Sequence, residues 1–469
     1  MPLMLMRGMR STLALCTVAV SLGGYAYFIE ADRPNAPMAD PLVPVFDFES
    51  GDITTLTVTA ENGDRTVVDN TDARWRLLEP FEGNVDVTTV VGLASSIATL
   101  EMQRVVAEPE DDVDLAAFGL NEPRITVDVA TSSVPDASLL IGARTPTGGD
   151  VYATLAGSRR VFLMSGYLDD TFNQSTFDLR DKTILNFTND EVEGLEITGD
   201  EVAVQLRKTG DRWGLTSPIA ALADAGAADG VIGRLSTGQI ASVESENPDD
   251  LTEYGLVPPR LNVNVRLTGS TATLLVGGAA GPGRIYARDG SRDQVFTIDE
   301  TLVGELVRDA EAYRRKEMFG FRPFNAKSLS LERGGVLSSF ERNESTDGAT
   351  VWRMVSPSSG GIDVEVDGAA MDDLLAKLSN LRAESFIGTR DGTGLTTPVA
   401  SFRATFRDSD EASIEERVIV GRSDGDGTDF TAVFAVNGDE PGAARLNPQA
   451  WDDAMEALDA LTAAPGTTP

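Results

Sequence analysis

Apolar and polar residues alternate along six stretches of the chain, as they do in strands that bury one face. Three of these stretches read DITTLTVTA, EGLEITGD and AKSLSLER. The other three place their apolar residues at Ile125, Val127 and Val129, at Leu261, Val263 and Val265, and at Ala400, Phe402, Ala404 and Phe406. The pattern therefore predicts an earlier and a later group of strands in each of three segments.

Apolar residues at helical spacing separate these groups of strands. Predicted helices follow Asp86 and Asp367, and each aspartate is placed to cap its helix. A closing helix is predicted in NPQAWDDAMEALDALTAA, with one apolar stripe formed by Trp451, Met455, Leu458 and Leu461. In DLAAFGL and DLTEYGL, an aspartate at the start and a glycine at the end predict single helical turns that stop at Gly119 and Gly255.

One set of landmarks occurs three times along the chain. Tryptophan and proline stand in WRLLEP, WGLTSP and WRMVSP, glycine and proline in FGLNEP, YGLVPP and TGLTTP, and a final glycine in LLIG, LLVG and VIVG. The residues are Trp75, Pro80, Gly119, Pro123 and Gly142; Trp213, Pro218, Gly255, Pro259 and Gly277; and Trp352, Pro357, Gly394, Pro398 and Gly421. Their regular spacing indicates internal repeats. The tryptophans are expected in the core, with sugar stacking as the alternative.

The predicted fold class is α+β, with three tandem repeats of a β-meander, helix, β-meander, helix module after one N-terminal transmembrane helix. The predicted segments are a cytoplasmic N-terminus (1–10), a transmembrane anchor (11–29), a proline-rich spacer (30–45), the repeats (46–185, 186–321 and 322–463) and a tail (464–469). Gly392 stands where Phe118 and Tyr254 stand in the other repeats. The pattern therefore does not support a third short helical turn.

The landmarks resemble the bacterial family called domain of unknown function (DUF) 4340. The resemblance covers WRLLEP, DLAAFGLNEP and LLIG, and it ends with the run Leu179-Arg180-Asp181-Lys182 before Phe187. It implies a single-pass membrane-anchored protein, often encoded beside ABC-2-type exporters of the gliding-motility kind. It implies no enzymatic activity.

The N-terminus has the features of a membrane anchor. Arg7 and Arg10 precede the uncharged run STLALCTVAVSLGGYAYFI, which as a helix spans about 28 Å and crosses a bilayer once. The positive-inside rule places residues 30 onward outside the cytoplasm. The alternatives are a signal peptide cleaved near Gly24 and Ala26, and a lipoprotein modified at Cys16.

Composition and charge restrict the classes of function. The chain has 469 residues, with 74 acidic and 39 basic residues and a net charge of -35, which makes nucleic acid a poor partner. Histidine is absent and Cys16 is the single cysteine, so histidine bases and ordinary zinc sites are excluded. We therefore expect no cofactor, no metal site and no catalytic residue.

Several motifs suggest catalysis or ligand binding, but each also has a purely structural interpretation. Gly421-Arg-Ser-Asp-Gly425 fits G-x-S-x-G, yet a strand follows it and the chain has no histidine base. The glycines from Gly277 to Gly283 precede a strand, where a phosphate loop needs a helix. The segment from Ser423 to Asp429 offers oxygen ligands for calcium without the EF-hand order. The acidic runs 108–114 and 244–250 offer carboxylates for glycan hydrolysis, or a solvated surface.

Four basic residues are the candidate partner contacts. Arg180 and Lys182 match Arg314 and Lys316, and their alternative role is to stabilise the ends of helices. The function predicted from the sequence is a non-catalytic, membrane-anchored extracytoplasmic accessory or scaffold protein. Its expected partner is an ABC-2-type exporter permease or an associated subunit. The alternative is an extracytoplasmic protein that binds polysaccharide or hydrolyses glycan with carboxylates.

Overall fold

A computed structural model describes residues 43–109, 113–132, 135–199, 202–344, 350–355, 364–407, 412–423 and 432–462. Within these ranges the strands form one sheet of two strands, one of eight and two of nine. Strands account for 46% of the structure and helices for 21%. The chain is therefore built mainly of antiparallel β-sheet.

The strands are numbered in chain order. The small sheet contains β1 (Val43–Pro44) and β5 (Glu101–Met102). Sheet 1 contains β2 (Ile53–Thr59), β3 (Arg65–Thr71), β4 (Arg74–Glu79), β6 (Arg104–Ala107), β7 (Ile125–Thr131), β8 (Ala137–Arg144), β9 (Asp150–Leu155) and β10 (Val161–Ser165). Sheet 2 contains β11 (Val192–Gly199), β12 (Val202–Thr209), β13 (Arg212–Ser217), β14 (Ala221–Leu222), β15 (Ser242–Ser245), β16 (Leu261–Leu267), β17 (Ser270–Gly281), β18 (Arg284–Asp289) and β19 (Val295–Asp299). Sheet 3 contains β20 (Ala326–Arg333), β21 (Val336–Glu344), β22 (Thr350–Met354), β23 (Val364–Glu365), β24 (Ala383–Ile387), β25 (Ala400–Arg407), β26 (Ser413–Arg422), β27 (Val433–Asn437) and β28 (Ala443–Leu446).

Helices connect or close the sheets. The α-helices are α1 (Val87–Ala98), α2 (Tyr167–Phe172), α3 (Thr176–Leu179), α4 (Ala225–Thr237), α5 (Glu300–Leu306), α6 (Gly368–Ser379) and α7 (Pro448–Thr462). The 3-10 helices are Ser50–Asp52, Leu115–Phe118, Asn189–Glu191 and Ala310–Tyr313. The predicted caps are confirmed, because Asp86 accepts a hydrogen bond from the Thr89 amide at 3.0 Å and Asp367 accepts one from the Ala370 amide at 2.9 Å.

The α+β fold class was wrong, because the two predicted meanders of each segment form one sheet. In sheet 2 the order is β14-β13-β12-β11-β16-β17-β18-β19-β15, and the corresponding strands follow the same order in sheets 1 and 3. The first strand of one meander pairs with the first strand of the other, as β11 does with β16. The edge strands β6, β15 and β24 were not predicted. Local periodicity does not specify such pairing between distant segments.

The predicted anchor, residues 11–29, lies outside the described residues, as does the tail 464–469. In the described part of the chain, no helix is both long enough and apolar enough to cross a membrane.

One face of each large sheet packs against a helix and forms the core. Val90, Leu93 and Ile97 of α1 are buried against sheet 1, while Leu374 and Leu378 of α6 are buried against sheet 3. The landmark tryptophans lie at corresponding places in β4, β13 and β22. Trp213 and Trp352 are buried, and the partly buried Trp75 packs against the core of sheet 1. Pro80 and Pro218 directly follow β4 and β13, and Pro357 lies outside the described residues.

The landmark glycines bring two backbones together in each large sheet. The carbonyl oxygen of the residue before the turn glycine lies against a glycine of the neighbouring strand. A Cβ atom added to that strand glycine would lie 2.3 Å from this oxygen at Gly142, 2.2 Å at Gly277 and 2.5 Å at Gly421. Real Cβ atoms essentially never approach an oxygen so closely, so only glycine fits here.

An aspartate caps the turns over these glycines in the first two cases. Asp114 begins the 3-10 helix Leu115–Phe118, which ends at the left-handed Gly119. Asp250 caps hydrogen-bonded turns that end at Gly255, with φ 65°. The residues before Gly255 form turns and no helix, and so do the residues around Gly394, where the sequence departs from the pattern.

The chain divides into two compact units, Met1–Lys182 and Thr183–Pro469. Sheet 1 belongs to the first unit, and sheets 2 and 3 belong to the second. The boundary between the units follows Lys182, and the predicted repeats 46–185, 186–321 and 322–463 stay predictions. In the second unit, Met318, Phe319 and Phe321 belong to the same core as sheet 3, although they precede the predicted start of its segment at residue 322.

Replacing Gly277 with alanine should destabilise the second unit by about 1–3 kcal/mol, because the new methyl group overlaps the Tyr254 carbonyl. Gly278→Ala is the matched control, since its Cβ would lie 3.6 Å from the same oxygen. Denaturant unfolding followed by tryptophan fluorescence measures both. Equal stability of the two variants would show that the close approach is not required.

Candidate functional site

The two predicted arginines stand at the ends of short helices. Arg180 is the C-cap of α3, and Arg314 is the C-cap of the 3-10 helix Ala310–Tyr313. Their exposed fractions are only 5% and 4%. Both therefore form part of the interior of the protein in this structure.

Arg180 and Lys182 connect α3 with the start of α1 in the first unit. The Arg180 guanidinium lies 4.6 Å from the centre of the Phe81 ring, a cation–π contact. The Lys182 ammonium donates a hydrogen bond to the Asp178 carbonyl at 2.9 Å and lies 3.7 Å from the Asp86 carboxylate. A cation at the C-terminal end of α3 and beside the cap of α1 stabilises both helix ends.

Arg314 joins the connection after sheet 2 to the last hairpin of sheet 3, within the second unit. Its guanidinium donates to the Glu440 carboxylate at 2.9 Å and lies 3.8 Å from the centre of the Phe386 ring. The other carboxylate oxygen of Glu440 accepts a hydrogen bond from the Leu222 amide at 2.8 Å. Glu440 therefore neutralises a buried cation and also satisfies an amide of strand β14.

Two buried polar atoms, one on Arg314 and one on the residue before it, have no hydrogen-bond partner in the described structure. They are Nε of Arg314 and the hydroxyl of the preceding residue, Tyr313. Burial raises the pKa of Tyr313 to about 12, because the charged phenolate is poorly solvated there. The tyrosine consequently stays neutral throughout the physiological range.

Lys316 differs from the other three predicted residues. It is exposed, and its ammonium makes no hydrogen bond or ion pair within the described ranges. Its neighbour Arg315 is directed inward and donates to the Glu416 carboxylate at 2.9 Å. Of the four candidates, Lys316 is therefore the one most accessible to a partner.

The motifs that offered chemistry have structural uses. Gly421 of the G-x-S-x-G motif and Gly277 of the glycine-rich run are the strand glycines of the backbone contacts. In the acidic runs, Glu108 pairs with Arg160 at 2.9 Å, and Asp114 and Asp250 cap turns. Residues 110–112 and the candidate calcium ligands 424–429 lie outside the described residues.

The side chain of Thr252 lowers the pKa of Asp250, because its hydroxyl donates a hydrogen bond to the ionised carboxylate. This effect favours the charged form of the aspartate and the capped turn before Gly255. It is a structural role and requires no bound ligand.

The buried carboxylates of Asp169 and Glu416 form ion pairs with arginines. Asp169 accepts from Arg124 at 2.6 Å and from Arg144 at 2.7 Å. Glu416, already paired with Arg315, also accepts from the Gly320 amide at 2.7 Å. No group of three metal-ligating side chains is found among the residues described. The arrangement therefore stabilises the fold, and it leaves these carboxylates engaged with internal donors.

Sequence reasoning did not find Phe81, Phe386 or Glu440, which complete the surroundings of the two arginines. Each is far from its arginine along the chain, and none belongs to a recognisable motif. The matching positions of Arg180 and Arg314 were the one signal, and it did not show whether they face inward or outward.

Replacing Glu440 with alanine should destabilise the second unit by about 3–5 kcal/mol, because Arg314 would remain buried without its counterion. Glu415→Ala is the control, since Glu415 pairs with Arg403 at an exposed site, where about 0–1 kcal/mol is expected. Equilibrium unfolding compares the two. A loss as small as that of the control would mean that the buried pair is not important for stability.

The comparisons with known proteins identify one family. Its sequence model, described as Domain of unknown function (DUF4340), matches residues 75–214 and residues 213–398. These are two copies, so three copies of the family domain are not confirmed. No curated protein and no solved structure is significantly similar to the chain. Because the matched stretches cover more than half of its residues, the chain belongs to the DUF4340 family.

Proposed function

We propose that this chain is a non-catalytic accessory or scaffold protein that works beside an ABC-2-type exporter on the extracytoplasmic side of the membrane. One observation best supports the proposal. The described residues of the motifs that suggested catalysis or ligand binding have structural roles in the fold. The glycines of the G-x-S-x-G and glycine-rich motifs form backbone contacts, and arginines neutralise the buried carboxylates. This is the pattern of a protein that acts by presenting surfaces.

The location in this proposal comes from the sequence. Arg7 and Arg10 precede an apolar run of membrane-spanning length, which favours a cytoplasmic N-terminus and an extracytoplasmic remainder. The net charge of -35 is consistent with a domain that remains outside and is not attracted to anionic lipid headgroups. The predicted spacer, 30–45, would separate the sheets from the membrane.

The exporter is proposed because of what the family resemblance implies. A protein with a single anchor forms no transport path of its own, so the permease must be a separate chain. Lys316 is the first residue to test for contact with it, because this lysine is exposed and has no partner in the described structure. Arg180, Arg314 and the mostly buried Lys182 would contribute by holding the surrounding backbone in place.

The alternative function, glycan hydrolysis by carboxylates, needs an acid and a carboxylate free to act on the substrate. The buried acids Asp169 and Glu416 do not favour it, since arginines bind both oxygens of Asp169. Arg315 and the Gly320 amide bind those of Glu416. Glycan binding without hydrolysis makes no such demand.

The proposed topology predicts that protease added to spheroplasts digests the sheets, because they lie outside the cytoplasmic membrane. The intact protein should keep its N-terminus, including Arg7 and Arg10, if the apolar run remains as an anchor. Mass spectrometry of the membrane-bound fragment measures this. Protection of the sheets, or a mature N-terminus near Tyr27, would contradict the proposed topology.

The proposed partnership predicts that a photocrosslinking amino acid at position 316, in the full-length chain and its native membrane, captures an exporter subunit. The same amino acid at Lys327, a second exposed lysine, is the control for random capture. Capture from position 316 alone supports the proposal. If position 316 captured no exporter subunit and the purified chain released sugars from envelope glycan, the accessory function would be wrong and the alternative, glycan hydrolysis, would be supported.

A further inference from the structure

Two arginines flank a glycine on the exposed face of sheet 2. Gly194 of the central strand β11 lies opposite Arg207 of β12 and opposite Arg266 of β16. Residues that lie opposite one another in antiparallel strands point their side chains to the same face. Neighbouring strands are about 4.8 Å apart, so the two arginine backbones stand about 10 Å apart with no side chain between them.

Because Gly194 has no side chain, the surface between Arg207 and Arg266 is lower there and forms the floor of a groove. One hollow of about 180 Å³ is lined by Gly194, Glu196 and Arg266, among other residues. A second of about 710 Å³ shares Arg266 and reaches Arg207. Both hollows are open to solvent and lie along the same three strands, so an extended ligand has access to the whole groove.

Neither guanidinium is used by the protein itself. Arg207 and Arg266 are exposed, and the guanidinium group of neither makes a hydrogen bond or an ion pair with any residue in the described ranges. By contrast, the exposed Arg403 of sheet 3 pairs with the Glu415 carboxylate at 3.2 Å. In a chain with a net charge of -35, two unpaired arginines on one row are available for an anionic ligand.

The fold does not require this arrangement, because the other two large sheets lack it. At the corresponding row, sheet 1 has Asp69, Thr55 and Ala130, and sheet 3 has Glu341, Ser328 and Thr405. An acid thus stands in each of these sheets where Arg207 stands in sheet 2. The basic pair is a property of sheet 2 and not of the shared framework.

The next row along the groove offers hydrogen bonds to hydroxyl groups. Glu196 lies between Gln205 and Asn264. The amide oxygens of Gln205 and Asn264 accept hydrogen bonds from Thr216 at 3.1 Å and Thr273 at 2.9 Å. Their amide nitrogens are therefore left to donate to a ligand, while the Glu196 carboxylate can accept from one.

Acidic residues also line the larger hollow, namely Asp190, Glu193 and Asp211, together with Lys208. This mixture of charges favours a ligand that combines anionic groups with many hydroxyls over a bare polyanion. The hollows have no aromatic side chain in their lining. All three strands are internal to the sheet, so a peptide cannot bind here by adding a strand.

We infer that this groove binds an acidic glycan, a chain of sugars that bear carboxylate groups. The planar guanidinium groups of Arg207 and Arg266 would each hold a carboxylate through two parallel hydrogen bonds. Gln205, Asn264 and Glu196 would bind the sugar hydroxyls. The inference does not depend on the exporter, because it rests on the groove alone.

The test is calorimetric titration of the full-length protein in detergent with a uronic-acid oligosaccharide of defined length. A neutral oligosaccharide of the same length and a polyglutamate peptide are the comparison probes. We expect saturable binding of the acidic oligosaccharide, weaker binding of both comparison probes, and lower affinity at higher salt. Absence of binding, or equal affinity for the peptide, would overturn the inference.

The variant Arg207→Gln/Arg266→Gln should reduce the affinity for the acidic oligosaccharide more than tenfold, because each charge-assisted bidentate contact is lost. Arg403→Gln is the matched control, an exposed arginine of sheet 3 that is paired with Glu415. It should leave the affinity unchanged. Unaltered circular dichroism and melting temperature show that the variants are folded, and an equal loss in both variants would assign the binding to general charge and refute the site.

Discussion

The contact between the backbone of a turn and a glycine of a neighbouring strand is the constraint on which each large sheet depends. The oxygen that would be 2.2 Å from a Cβ at Gly277 belongs to the residue that precedes the turn glycine Gly255. In sheet 2 the same oxygen accepts a hydrogen bond from the Gly278 amide at 2.8 Å. The contact therefore fixes the turn over the second meander, and it explains why two glycines recur together in the sequence.

In sheets 1 and 2, a pair of aromatic side chains forms a second contact between the turn and the sheet. In sheet 1 the Phe118 ring lies 4.9 Å from the Tyr152 ring, and in sheet 2 the Tyr254 ring lies 5.1 Å from the Tyr286 ring. Each pair bridges the turn and the strand next to the glycine-bearing strand, and edge-on geometry of this kind is favourable. In sheet 3 no aromatic ring directly precedes the turn glycine, so this aromatic pair cannot form. The 3-10 helix accompanies the pair in sheet 1 but not in sheet 2, where residues 251–255 form turns, so the aromatic pair does not require the helix.

The sequence predicted much of the framework because its signals are local. Alternation located β2, β11 and β20, aspartates marked the helix starts, and the tryptophans proved to be structurally equivalent. The α+β assignment failed because pairing such as that of β11 with β16 is a long-range choice that local periodicity does not encode. The groove was missed for the same reason, since Arg207, Gly194 and Arg266 become neighbours only through strand register.

The difference between framework and exposed face indicates where function resides in this chain. The backbone contacts of the glycines recur in all three large sheets because the fold needs them, so they distinguish no sheet from another. The residues on the exposed faces of the sheets are not needed for the core, and their charges differ in sign. Asp69 in sheet 1 and Glu341 in sheet 3 correspond to Arg207 in sheet 2. A repeated framework that holds each strand in register allows the exposed residues to vary without loss of the core. Specific recognition is therefore to be sought at the positions where the sheets differ, and not at the landmarks that they share.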